Sequence, residues 1–314
     1  MSDFRVTQAG ASLSMVTDLQ ADLASLTNLQ GQAASGKSVN QPSDNPTGTS
    51  EVLSLNAQMG RFQQYATNAQ DGLSWLDTAT NALSSVTKAL NQVQTDVLSG
   101  ANASASDSTS DQALSQEVLQ IKQDIMGLAS TTYNNRQVFS GTYGTAPYPQ
   151  GSASGVSDPT STSYDPSVAY AYAGSTTPVT RVVAPGQTVN VTMTADQIFG
   201  SGSSSVFALL DTISTDLANG NTSALSGSDL TQLQSAMSTV SGATGNLGSL
   251  AASVTQDQTN ANNTVSNLQE QVGNISDANE AQVATELDLA ETSYQAALET
   301  TAKIIQPSLA QFLS

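Results

Sequence analysis

The sequence predicts a mainly α-helical protein with a β-rich insertion. Residues on one helical face recur at spacings of three and four along both ends of the 314-residue chain, which is the heptad pattern of helices that pack lengthwise. Between about Gly141 and Ser205 this period disappears, and Gly, Ser, Thr, Pro and Tyr become frequent. We therefore expect a long antiparallel coiled-coil rod with terminal helices and a small outward β domain.

The first predicted helix ends at a proline-containing break. The break spans residues 36–46 and contains two prolines and a glycine, which disfavour a continuous helix. Asp44 or Asn45 can cap the next helix, with Pro46 in its first turn. The helix before the break carries one stripe, which consists of Val16, Leu19, Leu23, Leu26, Gln30 and Ala33.

The second predicted helix, residues 46–98, is very long. Its stripe keeps the heptad spacing from Val52 to Val97, and at about 1.5 Å per residue the helix would extend roughly 80 Å. A helix of that length must lie against other helices. A capping sequence at residues 108–111 then predicts a third helix, antiparallel to the second. Its stripe consists of Leu114, Val118, Ile121, Ile125 and Leu128.

The insertion, residues 142–204, has the composition of strands and turns. We expect short strands around residues 164–172, 180–184 and 188–194, the last two joined by a Pro185-Gly186 turn. Because both ends of the insertion enter helical sequence, we expect a separate small domain that projects from the rod.

The C-terminal part of the chain is again helical. A short amphipathic helix around residues 207–217 precedes the longest predicted helix, whose stripe runs from Leu230 to Ile275. The register slips near residues 276–278, which indicates a stutter or a hinge between two segments. We therefore divide the chain into terminal assembly segments (1–45 and 276–314), a helical rod (46–141 and 205–275) and the insertion (142–204).

Composition excludes several function classes. The chain has no Cys and no His, and its 8 Lys+Arg against 26 Asp+Glu give a formal net charge of −18. Thiol and imidazole catalysis, disulfides and Cys/His zinc sites are therefore excluded, and nucleic acid and anionic membranes are unfavourable partners. We also expect no membrane span and no cleavable export signal. A charged fraction of 11% favours equally a surface covered by other subunits and a solvated acidic surface.

The carboxylates do not predict an active site. They cluster in two segments, at residues 107–124 and 280–299, with the spacing of exposed helix faces. Sequences typical of phosphate-binding loops, dinucleotide-binding turns or calcium loops are absent from the chain. We therefore predict that the protein is not an enzyme and has no catalytic, cofactor-binding or metal site.

The two terminal stripes predict an assembly interface. Each is too small to bury its apolar face alone, so they can pair with each other, with other copies, or with both. The candidate interface residues are Val16, Leu19, Leu23, Leu26, Val283, Leu287, Tyr294, Ile305, Leu309 and Phe312.

Four segments of the chain carry motifs of a known family. In residues 36–48 a glycine, a basic residue, an Asn and an Asp precede Pro and a small residue, which resembles the N-terminal segment of bacterial flagellins and their relatives, although Asn45 replaces the second acid of that segment. Residues 274–279 resemble the C-terminal Ile-x-Asp-Ala segment. Residues 136–142 and 302–313 are similar to the hook–filament junction members of that family, although Pro307 lies inside the last helix and can kink it.

This resemblance implies a structural subunit of the bacterial flagellum. It implies unfolded export through the flagellar type III apparatus, an extracellular location and a ring-like assembly at the junction of hook and filament. The implied partners are other copies of the chain, hook-associated protein 1, flagellin and an export chaperone. The alternatives are a filament flagellin, an adhesin that binds glycans through the insertion, and a carboxylate-dependent hydrolase in the insertion.

Overall fold

The computed structural model describes residues 2–102, 108–149 and 158–312. By its internal contacts the chain divides into two units. Unit 1 comprises Met1–Arg61 and Asn263–Ser314, and unit 2 comprises Phe62–Asn262. Within the described ranges, every helix is too short or too polar to span a membrane.

Long helices dominate both units. The helices are α1 (Ser2–Ser35), α2 (Pro46–Ala101), α3 (Ser108–Ala129), α4 (Pro166–Ala169), α5 (Ala195–Phe199), α6 (Val206–Ala218), α7 (Thr222–Ala224), α8 (Leu230–Ser276) and α9 (Glu280–Phe312), with a 3₁₀ turn at Gly202–Ser204 and a π-helical turn at Leu225–Asp229. These bounds confirm the mainly helical fold class.

Strands occur only as two short antiparallel hairpins in the described part of the chain. Strand β1 (Thr132–Tyr133) pairs with β2 (Arg136–Gln137), and β3 (Thr180–Ala184) pairs with β4 (Gln187–Asn190). The predicted hairpin around Pro185-Gly186 is therefore confirmed. Gly186 has a φ of +72°, which glycine adopts without steric cost.

The core of unit 2 confirms the heptad stripes. Leu76, Leu83 and Leu90 of α2 are fully buried, as are Val240 and Leu247 of α8. The insertion adds side chains to the same hydrophobic cluster: Tyr148, Ala169, Tyr170, Val179, Val183, Val191, Ala195, Ile198 and Phe199. The insertion therefore packs onto the helices, and its assignment as a domain of its own remains a prediction.

Two strand predictions within the insertion are wrong. Around residues 164–172 the chain forms α4 instead, because Asp165 Oδ1 accepts a hydrogen bond from Ser167 N at 3.0 Å and Pro166 fits the first helical turn. Strand β4 ends at Asn190 rather than Thr194, because Thr194 begins the capping box of α5.

Side chains fix hairpin β3–β4 to α2. Asn68 Nδ2 donates to Val182 O at 2.9 Å, and Arg181 Nε donates to Asp71 Oδ2 at 2.7 Å. The Arg181 guanidinium also lies over the Trp75 ring, 5.9 Å from its centroid. This hairpin is therefore anchored by an ion pair, a cation–π contact and an amide hydrogen bond.

A buried carboxyl on α2 couples stability to pH. Asp96 Oδ1 accepts a hydrogen bond from Gln92 Nε2 at 3.0 Å, whereas Asp96 Oδ2 has no hydrogen-bond partner. Burial and, secondarily, the Glu117 carboxylate raise the pKa of Asp96 above its usual value of 3.8. The folded state therefore keeps a proton that the unfolded state releases near pH 3.8.

We predict that Asp96→Asn stabilises unit 2 at neutral pH. Between the two pKa values Asp96 is more protonated in the folded state, so its contribution to the free energy of unfolding is greatest below pH 3.8 and decreases as pH rises through the raised pKa. The variant should unfold at a higher urea concentration at pH 7 and show a flatter pH dependence. Glu117→Gln should have a smaller effect in the same direction, and an unchanged pH slope in Asp96→Asn would contradict the prediction.

Candidate assembly interface

The terminal helices of unit 1 pack against each other. Helices α1 and α9 contact each other. On α9, Val283 is buried and Leu287 and Tyr294 are half-buried, so these predicted residues lie on the packed face. Ala290 and Ala297 complete this heptad stripe and are also half-buried. The α9 stripe predicted from the sequence is therefore covered by packing within a single chain.

Helix α1 packs through only part of its apolar surface. The predicted residues Leu19 and Leu26 are half-buried, and so are Met15 and Leu29, which the sequence analysis missed. None of the described α1 side chains is fully buried. Helix α9 therefore covers one edge of a wider apolar face.

The uncovered part of α1 includes three large apolar side chains, which we call the outer stripe. It contains the predicted residues Val16 and Leu23, which are 42% and 46% exposed, and Leu13, which is 70% exposed. These three residues are three or seven apart in the helix and so share one face. Leu13 lies outside the predicted set, although the same spacing extended backwards would have found it.

The last turns of α9 contain the remaining predicted residues. Ile305, Leu309 and Phe312 belong to this helix, but their side chains lie outside the described residues.

Two linkers join the terminal helices to the long helices. The two linkers pair with each other as a short antiparallel bridge. Ser38 N donates to Ser276 O at 2.8 Å, and Ala278 N donates to Gly36 O at 2.9 Å. Lys37 and Asp277 are the paired residues. We call residues 36–38 and 276–278 the linker bridge. The predicted slip at 276–278 is thus a break between α8 and α9, occupied by a strand-like pairing.

The segment after the linker bridge is ordered by two side chains. Asp44 Oδ2 accepts backbone hydrogen bonds from Asn40 at 3.0 Å and from Gln41 at 2.8 Å. Asn45 Oδ1 accepts from Gly48 N at 2.9 Å, so Asn45 caps α2, which begins at Pro46. Of the two predicted caps, Asn45 is therefore the one used.

Packing explains why residue 48 is a glycine. A Cβ on Gly48 would lie 2.6 Å from Asn45 Nδ2, closer than real Cβ contacts, and 3.2 Å from Ile275 Cγ2, which is a tight contact. The segments 36–48 and 274–279, which resemble flagellins separately in the sequence, are therefore in direct contact.

The best candidate for a catalytic cluster in unit 2 lies inside the core. Lys122 Nζ donates to Asp211 Oδ1 at 2.6 Å, and Tyr170 OH donates to Asp211 Oδ2 at 2.6 Å. All three residues are buried. Burial, followed by the hydrogen bond to Asp211, raises the pKa of Tyr170. A substrate cannot reach this cluster, and its buried ion pair serves to hold α3 to α6.

The described part of the insertion has two carboxyl groups with lowered pKa values and two buried tyrosines. Hydrogen bonds from Thr160 and Ser167 lower the pKa values of Asp158 and Asp165, whereas a general acid needs a raised pKa. In the described part of the chain, no three acidic side chains come close enough to hold a metal ion. Tyr148 and Tyr170, two tyrosines of the insertion, are buried.

Sequence comparison points to one family. Residues 6–144 match the N-terminal helical region of bacterial flagellin, and residues 230–313 match its C-terminal helical region. Polar flagellin F of Vibrio parahaemolyticus is 30% identical over 141 residues, which cover 43% of this chain and 37% of that protein. Flagellar hook-associated protein 3 of Salmonella typhimurium is 29% identical over 192 residues, which cover 60% of this chain and 54% of that protein. The chain thus spans about a third to a half of the length of these relatives.

Structural comparison gives the same fold. A solved structure from Vibrio parahaemolyticus, described as a flagellar hook-associated protein, superposes with a TM-score of 0.65 at 22% identity. The match covers 74% of this chain and 100% of that chain.

We predict that Gly36→Ala opens the linker bridge. Gly36 has a φ of +70°, where a side chain costs about 1–2 kcal/mol. The amides of Ser38 and Ala278 should exchange with solvent faster in this variant, as measured by hydrogen–deuterium exchange. Gly31→Ala is the matched control, because Gly31 lies within α1 and the nearest atom to an added Cβ is 4.0 Å away. Equal exchange rates in the two variants would contradict the prediction.

Proposed function

Because the chain belongs to the bacterial flagellin family, we propose that it is a structural subunit of the flagellum that joins the hook to the filament. Several copies would form a ring-like zone, with hook-associated protein 1 on the hook side and flagellin on the filament side. The chain would reach this extracellular position through the flagellar type III apparatus, with an export chaperone holding it beforehand. The proposed role is structural rather than catalytic.

The observation that carries this proposal is the unburied outer stripe of unit 1. Leu13, Val16 and Leu23 remain 70%, 42% and 46% exposed although α1 already packs against α9. Burial of a large aliphatic side chain contributes about 1.5–3 kcal/mol, so several such residues from each copy can hold a non-covalent joint together. The interface would therefore comprise the predicted residues Val16 and Leu23 together with Leu13, with α9 as the support that orients α1.

Two observations support the junction role. The alignment with hook-associated protein 3 covers 60% of the chain, whereas that with polar flagellin F covers 43%. The fold is also that of a solved protein described as hook-associated. A filament flagellin is the second candidate, because the flagellin alignment has the marginally higher identity, 30% against 29%. The two candidate roles predict different abundances, since a filament subunit would be the major protein of isolated filaments.

The proposal predicts that Val16→Ser combined with Leu23→Ser causes cells to shed their filaments. Both side chains are exposed in the α1–α9 pair, so the variant should keep the helical content and thermal stability of the parent chain. Filament attachment is measured by electron microscopy of cells that produce only the variant, together with the filament protein released into the medium.

Leu98→Ser is the matched control for this experiment. Leu98 is also an exposed leucine, but it belongs to unit 2, whereas the terminal helices belong to unit 1. It should leave filaments attached. Normal attachment in the Val16/Leu23 variant would overturn the proposed use of the outer stripe, whereas loss of attachment in both variants would show that the effect is not specific to this surface.

A further inference from the structure

A second apolar surface of unit 1 lies beside the linker bridge. It is a groove of about 230 Å³ formed where the 37–42 segment passes the start of α2 and the end of α8. Its apolar lining consists of Val39, Pro42, Val52, Leu53 and Val272. Leu53 is 65% exposed, although a leucine two turns into a long helix would ordinarily pack against something. Among the described residues, no side chain fills the groove.

One cation lines this groove. The Lys37 side chain has no carboxylate within ion-pair distance among the residues that the structure describes. The chain carries a net charge of −18, so an acidic surface on any second copy is the complement that Lys37 would attract.

The first turns of α9 offer a matching surface in the same unit. Leu289 is 67% exposed and lies on the side of α9 away from the packed stripe. Glu286 is exposed and precedes Leu289 by three residues, so the two side chains share one helix face. An apolar side chain beside a carboxylate is the counterpart of an apolar groove beside an ammonium group.

We propose that α9 of a second copy docks in this groove, with Leu289 between Leu53 and Val272 and Glu286 paired with Lys37. This inference rests on the proposed function, because it assigns one contact between the copies of a multi-copy joint. The groove and the inserted helix face are different surfaces of unit 1. When each copy inserts α9 into the next copy rather than exchanging it with one partner, the contact is heterologous, and its repetition generates a ring or an open helix.

The outer stripe of α1 is the competing occupant. It has exposed leucines of its own, but Asp18 is the only exposed acidic residue among residues 13–35, whereas Glu280, Glu286, Asp288 and Glu291 are all exposed on the first turns of α9. Charge complementarity with Lys37 therefore favours α9.

The experiment uses the natural absence of cysteine in this chain. One full-length variant carries Leu53→Cys, another carries Leu289→Cys, and the two are produced together in cells that lack the parent protein. A short bifunctional thiol reagent is added to cells with assembled flagella. Because each chain has one thiol, a crosslinked pair that contains both variants can arise only from contact between copies. We expect that pair, identified by mass spectrometry of the linked peptides.

Charge variants test the ion pair. Adding Lys37→Glu to the Leu53→Cys chain should lower the yield of the mixed pair about tenfold, since like charges then face each other. Adding Glu286→Lys to the Leu289→Cys chain should restore it. Glu291→Lys is the matched control, because Glu291 lies on a different face of α9 from Leu289, and it should not restore the yield.

The outcomes separate this inference from the proposed function. If filaments attach but Leu53→Cys crosslinks with Leu13→Cys instead of Leu289→Cys, the groove holds α1 and the inference is overturned. If filaments attach and neither pair forms, the groove is not a contact between copies, and the inference is again overturned while the junction role stands. If cells lacking the parent protein keep their filaments, the proposed function itself is wrong.

Discussion

Unit 1 depends on the packing of α1 against α9, and that packing covers only part of α1. One helix can cover only part of another's circumference, and the apolar face of α1 is wider than the surface that α9 offers. In unit 2, four residues of the α2 stripe are fully buried, namely Leu76, Leu83, Leu90 and Val97. In unit 1 no described side chain of α1 reaches that state. The two units therefore contain similar heptad sequences with different degrees of burial.

The charge of the chain works against association and so limits what can hold copies together. Each copy carries −18, and long-range repulsion between copies must be overcome by short-range contacts or screened by salt. Apolar side chains on the terminal helices supply such contacts. The few exposed cations gain importance for the same reason, because each can offset repulsion at one defined place. A low charged fraction over the helices reduces the number of carboxylates that would lie close together in an assembly.

Sequence periodicity was sufficient to predict the long helices, but it did not predict the structure of the insertion or of the linkers. The stripes from Val52 to Val97 and from Leu230 to Ile275 repeat over many turns, so local irregularities did not obscure them. Around residues 164–172, β-favouring tyrosines suggested strands, whereas one capping aspartate and one proline sufficed to make a helical turn. The pairing of residues 36–38 with 276–278 could not be predicted from periodicity, because it depends on backbone atoms. Part of the interface could be predicted, since the heptad spacing in α1 identified Val16 and Leu23. The spacing did not give the direction from which α9 approaches α1.

The linker bridge joins positions that are 238 residues apart in the chain. Such a contact is entropically costly to close, so it forms only when the intervening chain has already collapsed. A polypeptide broken or halted before residue 276 can fold its long helices locally, yet it has no second linker and no α9 with which to orient α1. Under the proposed role, incomplete molecules would lack a competent joining surface, and the ring would select intact subunits without any separate proofreading factor.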